Sequence, residues 1–332
     1  MNQLKNKVRF LVIRFSSLGD IVLTSPVVRC LKQQVEDAEI FFLTNSKYSS
    51  VLKSNPYISK VYEYPGTVGS FISLVADTQF DYIIDLQNNY LSRLIKLRLK
   101  VPAFTVDKLN IRKFITVCFK INRLPAIHIV DRYLDTVSLF DVADDNKGLD
   151  FFIPGDEKFG KSSLPPACQN GYVAFITGGT YNTKKLPAEK IAAICNSIDY
   201  PVVLIGGIDE QGSGDYIVSV TEGNVFNYSG KTTVNESAIL VRDSNLVLTN
   251  DTGFMHIAAA FKKKILSFWG NTIPQFGMYP YMADPASEIV EVSNLKCRPC
   301  SKLGYNKCPK RHFRCMNDID VSLAADWIKK NF

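Results

Sequence analysis

Apolar residues in this chain fall into short, nearly unbroken runs separated by stretches of helical period. Residues 8–15, Val-Arg-Phe-Leu-Val-Ile-Arg-Phe, form the first run, the pattern of a parallel strand covered on both faces. Ser25 and Pro26 then supply a helix cap and a first-turn proline. Val27, Val28, Leu31 and Val35 follow at helical spacing. The same reading predicts strands at 40–43, 61–64 and 82–86. Over residues 141–171 the alternation stops in a stretch rich in turn formers and charge, which marks a linker. It restarts with strands at 172–177, 201–207, 246–250, 265–269 and 289–292, and residues 321–330 read as a closing amphipathic helix. The pattern predicts an α/β protein of two doubly wound halves joined near position 160.

Composition narrows the class. A chain of 332 residues with 46% hydrophobic content has room for two ordinary cores. No run approaches the roughly 20 apolar residues of a membrane-spanning helix. The segment before the first strand does not read as a signal peptide, so a cytoplasmic location is expected. The net charge of +7 is unevenly spread. Arg93, Lys96, Arg98, Lys100, Lys108, Arg112, Lys113, Lys120 and Arg123 crowd residues 90–125 against Asp107 alone. Two amphipathic helices with a solvated basic face would account for this. A surface for an anionic acceptor or for the acidic inner leaflet would account for it equally. Nothing matches a nucleic-acid-binding module, so no nucleic-acid partner is expected.

Three constellations fall on strand-to-helix junctions, the edge where open α/β sheets bind ligands. After the first strand come Ser16, Ser17, Gly19 and Asp20. The loop has one glycine and no G-x-G-x-x-G, which argues against a dinucleotide oxidoreductase. Asp20 is either a helix cap or a general base toward a substrate hydroxyl. The strand at 172–177 leads into Thr177-Gly-Gly-Thr180 and then Lys184-Lys185, with Gly206 near the end of the next strand. Glycines admit close approach of a phosphate and a lysine supplies charge, although a flexible loop with solvated lysines would look the same. The strand at 246–250 turns directly into Asp251-Thr252-Gly253 and a small-residue helix carrying His256. A helix N-terminus at that edge suits a phosphate, while Asp251 as a cap and His256 as a core residue are the bland alternatives. A further strand ends in Gly270-Asn-Thr-Ile-Pro274 beside it.

Cysteine usage adds one more expectation. Cys297, Cys300, Cys308 and Cys315 fall within nineteen positions, with His312 close by. That density invites a structural zinc, although the second pair is not C-x-x-C. The other four cysteines are scattered and read as small apolar residues.

Together these motifs resemble glycosyltransferase family 9, the ADP-heptose:lipopolysaccharide heptosyltransferases. The likeness rests on Phe-Ser-Ser-Leu-Gly-Asp-Ile-Val-Leu-Thr-Ser-Pro at residues 15–26, Lys184-Lys-Leu-Pro, Asn-Asp-Thr-Gly-Phe-Met-His at 250–256, and Gly-Asn-Thr-Ile-Pro. The Cys-x-Pro-Cys tail is similar to that of some members. The resemblance implies a GT-B fold, two Rossmann-like domains facing a central cleft. Residues 1–155 would bind the acceptor and 156–317 the sugar nucleotide, with 318–332 crossing back to the first domain. It implies inverting, metal-independent transfer of heptose from ADP-heptose to a phosphorylated glycolipid of the lipid A–Kdo type. The enzyme would work at the inner membrane from the cytoplasmic side and need no cofactor. Asp20 matches the family's proposed base and Lys184 its phosphate-binding lysine. Thr180, Lys185, Gly206, Asp251, Thr252, Gly253 and His256 would complete the donor side. Ser16, Ser17 and Gly19 would line the acceptor side, with Arg93, Arg112 and Lys113 meeting acceptor charge. Leu186 stands where the family usually carries an aromatic. Another nucleotide sugar, or a homologue that binds without turnover, stays open.

Overall fold

The computed structural model describes residues 7–332 and divides them into two compact units, 7–108 with 127–154, and 109–126 with 155–332. The first is built on a five-stranded, all-parallel sheet of order β3-β2-β1-β4-β5. Its strands are β1 (Val8–Ile13), β2 (Ala38–Thr44), β3 (Lys60–Glu63), β4 (Tyr82–Asp85) and β5 (Ala103–Thr105). Its helices are α1 (Leu18–Val22), α2 (Ser25–Gln34), α3 (Ser46–Ser49), α4 (Val68–Leu74), α5 (Tyr90–Leu99) and, after the excursion of 109–126, α7 (Ile129–Leu134). Leu11, Ile13, Leu43, Phe71, Ile83 and Ile95 are fully buried in its core. That a short apolar run becomes a central strand follows from burial on both faces.

Residues 109–126 carry α6 (Asn110–Phe119) and cluster with the second unit. That unit holds a six-stranded parallel sheet of order β11-β10-β9-β6-β7-β8. The strands are β6 (Val173–Ile176), β7 (Val202–Ile205), β8 (Val225–Asn227), β9 (Leu246–Asn250), β10 (Lys264–Trp269) and β11 (Glu288–Glu291). Its remaining helices are α8 (Ala188–Asn196), α9 (Gln211–Ser219), α10 (Val234–Asp243), α11 (Gly253–Ala260), α12 (Arg314–Asn317) and α13 (Val321–Asn331). In each sheet the strand order reverses beside the first strand, between β1 and β4 and between β6 and β9. Those are the positions where open parallel sheets bind ligands.

Every strand predicted from the sequence is present, and two more appear. β5 and β8 have three residues each and lie at sheet edges, too short to show a run. Ser25 is the first residue of α2, not its cap, because α1 runs almost into α2 and the Ser25 hydroxyl donates to Val22 O at 2.8 Å.

Two boundaries differ from the expected division. Residues 109–126, placed by sequence within a first domain of 1–155, pack on the second unit. Lys120 Nζ donates to Cys297 O at 3.2 Å and Pro299 O at 2.6 Å, and Lys113 Nζ lies 5.7 Å from the centre of the Phe276 ring. Residues 318–332 do not cross back either. Ala324, Ala325, Trp327 and Ile328 are buried in the core of the second unit. Trp327 Nε1 donates to Ala286 O at 2.9 Å, and the Phe332 ring stacks on Tyr200. The amphipathic face is paired on the nearest sheet, which leaves no apolar stripe to reach elsewhere.

Candidate active site

At the reversal point of the first unit, the loop after β1 holds Asp20 on the first turn of α1. Ser17 caps that helix, and both its backbone N–H (3.0 Å) and its hydroxyl (2.8 Å) donate to Asp20 Oδ2. The other oxygen, Oδ1, lies 2.7 Å from Arg14 Nη2. Arg14 is buried, and its remaining donors are fixed by Ser16 O at 2.8 Å and Leu86 O at 2.5 Å. Burial alone would raise the Asp20 carboxyl, yet Arg14 and the Ser17 donors hold it below its ordinary value. Burial likewise opposes the Arg14 charge, and Asp20 more than restores it. The result is a fixed carboxylate, ionised at neutral pH and 19% exposed, so one edge stays open to a substrate. Ser16 and Gly19 lie on the same loop. Gln87, from the loop after β4, accepts from Phe15 N–H at 3.0 Å and ties the two sides of the reversal point together.

The sequence reading assigned no part to Arg14, which holds Asp20 here. An arginine in an apolar strand is itself a signal, because a buried guanidinium requires a paired anion.

At the reversal point of the second unit, the loops after β6 and β9 meet. Asn250, the last residue of β9, is fully buried. Its amide NH₂ faces Ile176 O, Thr177 O and Gly178 O at 3.2–3.4 Å, and its oxygen accepts from Leu186 N–H at 3.0 Å. One side chain thus holds the glycine loop and the lysine segment against β9. Lys184 Nζ then lies 2.6 Å from Asp251 Oδ2, which also accepts from Thr272 Oγ1 at 2.7 Å. Lys185 points instead to Glu210, 2.6 Å away, and Glu210 also accepts from Gly207 N–H at 2.9 Å. Adjacent lysines therefore have separate partners, and Lys184 is the one beside α11.

Gly179 packs against the start of α11 and the lysine segment, since a methyl group there would meet Thr252 Cγ2 at 3.4 Å and Lys185 Cγ at 3.5 Å. Thr252 occupies the N-cap of α11 without a side-chain cap hydrogen bond, and its buried hydroxyl has no partner. Gly253 opens the helix, so its first N–H groups carry no internal acceptor. An unpartnered buried hydroxyl beside an uncapped helix start, with a lysine adjacent, is a site for an anion. Asn271 adds a buried amide with neither end partnered.

Other expected residues are placed differently. Gly206 is a packing glycine: a Cβ there would come 2.8 Å from Glu210 Cβ and 2.9 Å from Thr177 Oγ1, and its carbonyl accepts from Gly230 N–H. His256 is buried on α11, and Thr180 is exposed on the glycine loop. Leu186 fills a core position, which accounts for an aliphatic residue there. Arg93 is exposed on α5 of the first unit, whereas Arg112 and Lys113 belong to α6 and the second unit. Lys96, from the same basic run, is committed to the fully buried Asp85 at 2.7 Å.

The four clustered cysteines do not assemble the ligand set their spacing suggests. Cys300 Sγ lies 3.0 Å from Cys297 O, and Cys297 Sγ is 3.9 Å from His312 Nε2. No three of these groups bring their ligand atoms within 4.8 Å; among the described residues only Cys30, Asp144 and Asp145 do so. Arg29 already pairs with that Asp145. Burial, with Cys297 close by, pushes the Cys300 thiol up to about 11, and burial pushes Cys315 up to about 12. No helix among the described residues is long and apolar enough to cross a membrane.

Comparison with known proteins agrees with this arrangement. The sequence profile of glycosyltransferase family 9 (heptosyltransferase) matches residues 68–308, a stretch that spans both units. Lipooligosaccharide heptosyltransferase 2 of Haemophilus influenzae is 25% identical over 322 residues, covering 89% of this chain and 92% of that protein. The structure of Escherichia coli ADP-heptose lps heptosyltransferase II superposes with a TM-score of 0.72 at 18% identity, over 97% of this chain and 98% of that one. E. coli heptosyltransferase WaaC with ADP gives 0.69 at 16% identity, over 98% and 100%. Two doubly wound parallel sheets of this kind are the GT-B fold. The chain belongs to glycosyltransferase family 9, the heptosyltransferase family, and is a glycosyltransferase.

Proposed function

We propose that this enzyme transfers heptose from ADP-heptose to a lipopolysaccharide-core acceptor, with inversion and without a divalent metal. The observation that carries the reading is the pair of opposed charges at the two reversal points: a fixed carboxylate, Asp20, in one unit and a cation beside an uncapped helix, Lys184 with Thr252 and Gly253, in the other. ADP-heptose and ADP stand in the names of the similar solved enzymes, which supports this donor.

In such a transfer the acceptor hydroxyl oxygen attacks the anomeric carbon from the face opposite the diphosphate. Its proton passes to Asp20, already ionised because Arg14 and Ser17 hold it so. The carbon–oxygen bond to the diphosphate breaks and ADP departs with the electron pair. Lys184 and the first N–H groups of α11 receive the charge that develops there. Asp251 holds Lys184 in position and is available to sugar hydroxyls once the lysine turns to phosphate. On this reading the first unit binds the acceptor and the second the donor.

A membrane surface as partner is supported by α6. The stripe expected to be buried is outward: Ile111 is 78% exposed, Phe114 59% and Phe119 65%, flanked by Arg112, Lys120 and Arg123. Exposed aromatic and aliphatic residues between cations fit an anionic lipid interface. Co-sedimentation with vesicles containing anionic lipid, reduced in Phe114→Asp, checks this; equal binding by the variant would refute it.

The main test is calorimetric titration with ADP-heptose, ADP and a panel of UDP-, GDP- and CMP-sugars, followed by NMR assignment of the product anomer. Selective binding of the ADP compounds and an inverted product are expected. Selectivity for another nucleotide would keep the fold and replace the donor. Binding without transfer to any core acceptor would leave a sugar-nucleotide-binding homologue.

A further inference from the structure

The amide of Asn271 takes no part in the steps above. It stands just beyond the end of β10 and is fully buried, with neither Nδ2 nor Oδ1 in a hydrogen bond among the described residues. A carboxamide offers two donors and an oxygen with two lone pairs, and leaving all of them unmet in the interior is costly. Folded proteins meet nearly all such groups. An apolar side chain of the same size would fill the position without that cost. The amide therefore points to a partner that comes from outside the chain.

The residues on either side of Asn271 fix which site it belongs to. Gly270 packs so closely on the lysine segment that a Cβ there would come 2.7 Å from the carbonyl oxygen of Thr183, the residue before Lys184. Thr272 Oγ1 donates to Asp251 Oδ2, the carboxylate that holds Lys184. Asn271 is thus flanked by contacts to both halves of the Lys184–Asp251 pair. The backbone here is pinned by the segment after β11: Cys300 N–H donates to Asn271 O at 3.0 Å and Arg298 Nη2 to Thr272 O at 2.8 Å. Thr252, next to Asp251, contributes a buried hydroxyl that likewise lacks a partner. All of these residues belong to the second unit.

The chemistry of the amide selects the ligand. Its NH₂ can donate to a phosphate oxygen. Its oxygen needs a donor, and an ionised diphosphate carries none. A sugar hydroxyl near the anomeric phosphate supplies one. We propose that Asn271 is a specificity-determining residue for the nucleotide sugar: its NH₂ donates to the sugar-side phosphate and its Oδ1 accepts from a hydroxyl of the sugar to be transferred. The identity of that donor rests on the transferase reading. The side chain becomes accessible as the incoming phosphate draws Lys184 from Asp251, because Thr272 is bound to the same carboxylate and shifts with it. Once the sugar has left, Oδ1 is orphaned again, so ADP is held less tightly than the donor.

The test compares ADP-heptose with ADP by calorimetry on the full chain, native and Asn271→Leu, with Tm read for each. Leucine keeps the volume and removes both hydrogen-bonding ends. The ratio of ADP-heptose affinity to ADP affinity should fall ten-fold or more in the variant, while Tm stays level or rises. Asn271→Ala, judged by the ratio alone, covers the case in which leucine does not fold. ADP-heptoses lacking one hydroxyl each give the second measurement. One of them should bind the native protein ten-fold or more weaker than ADP-heptose, and that deficit should vanish in the variant. Equal losses for both ligands, or a lower Tm with an unchanged ratio, would make the amide a structural group served by enclosed water and overturn the proposal. Heptose transfer is assayed separately. Transfer by the native protein with an unchanged ratio in the variant removes the Asn271 contact and leaves the transferase reading intact. A ratio that falls as expected in a protein that transfers nothing does the reverse, and a native protein that does not bind ADP-heptose overturns both.

Discussion

The two strand-order reversal points of this enzyme solve one problem in opposite ways. Each presents a charged side chain at a sheet edge, and each holds it with a counter-charge. In the first unit the carboxylate of Asp20 is fixed locally, by Ser17 three residues earlier and by Arg14 six residues earlier. In the second unit Lys184 is fixed by Asp251 and, through it, by Thr272, while Asn250 holds the loop. Those partners lie more than sixty positions downstream. A group clamped by its own loop keeps its geometry when the neighbourhood changes. A group clamped from across the sheet depends on the packing of several strands, and it can exchange its partner for a ligand of the same charge. A base needs the first arrangement, and a phosphate-binding lysine benefits from the second.

That contrast sets the expected effects of substitution. The largest is Asp20→Asn, which removes the proposed proton acceptor; kcat should fall by about 10²–10⁴-fold. ADP affinity should stay unchanged, and steady-state assays with parallel ADP titration check both. Full activity in that variant would show that another group takes the proton. Next is Lys184→Ala, expected to cost about 10²–10³-fold in kcat through loss of charge stabilisation on the leaving diphosphate. Here ADP affinity should fall as well, and Lys185→Ala should cost less on both measures, because Lys185 is directed to Glu210. Equal losses in the two variants would erase the distinction between the lysines.

Asn250→Ala acts on the clamp instead of on the charge. It leaves Leu186 N–H and nearby carbonyls without their partner, so stability should drop by about 1–3 kcal/mol, read as a lower Tm. Ligand affinity should fall more than expected from stability alone if the loop is what places Lys184.

The smallest effect is a shift and not a loss. The Asp20 carboxyl titrates below its ordinary value in the folded protein. Activity that depends on its ionised form is therefore complete above that range and is lost as pH falls through the folded pKa. Arg14→Gln removes the main opposing charge, so the acid limb of the kcat/KM profile should move to higher pH. The stability contributed by this pairing should likewise be present at neutral pH and fade toward acid, less so in the variant. An acid limb that stays in place would mean that Asp20 is not the group it reports.

How much of this was legible varied with the range of the interaction. The strand ending in Asn-Asp-Thr-Gly could be read directly, because burial on both faces writes a short apolar run and the helix follows within a residue or two. The Ser17–Asp20 turn was legible for the same reason. The edge strands β5 and β8 were not, since three residues are too few to show a period. The basic segment misled in two respects. Its helix at 110–119 was expected, but its apolar residues face outward and it joins the second unit. A periodic stripe says only that two faces differ, not which one is covered. The closing helix misled similarly: its stripe announced a docking face without naming the sheet it would meet. Gly206 was expected on the donor side; the packing that also requires a glycine there, against Glu210 and Thr177, left no trace in the local sequence.

By itself, then, the sequence determined the parallel strands, their division into two Rossmann-like halves and the junctions that carry Asp20, Lys184 and Thr252. All of these follow from burial and chain geometry within about ten residues. Tertiary structure alone decided that Lys184 and not Lys185 meets Asp251 and that α6 belongs to the second unit. Those outcomes depend on which charges and surfaces the folded sheets bring together, and no local pattern encodes a partner a hundred residues away.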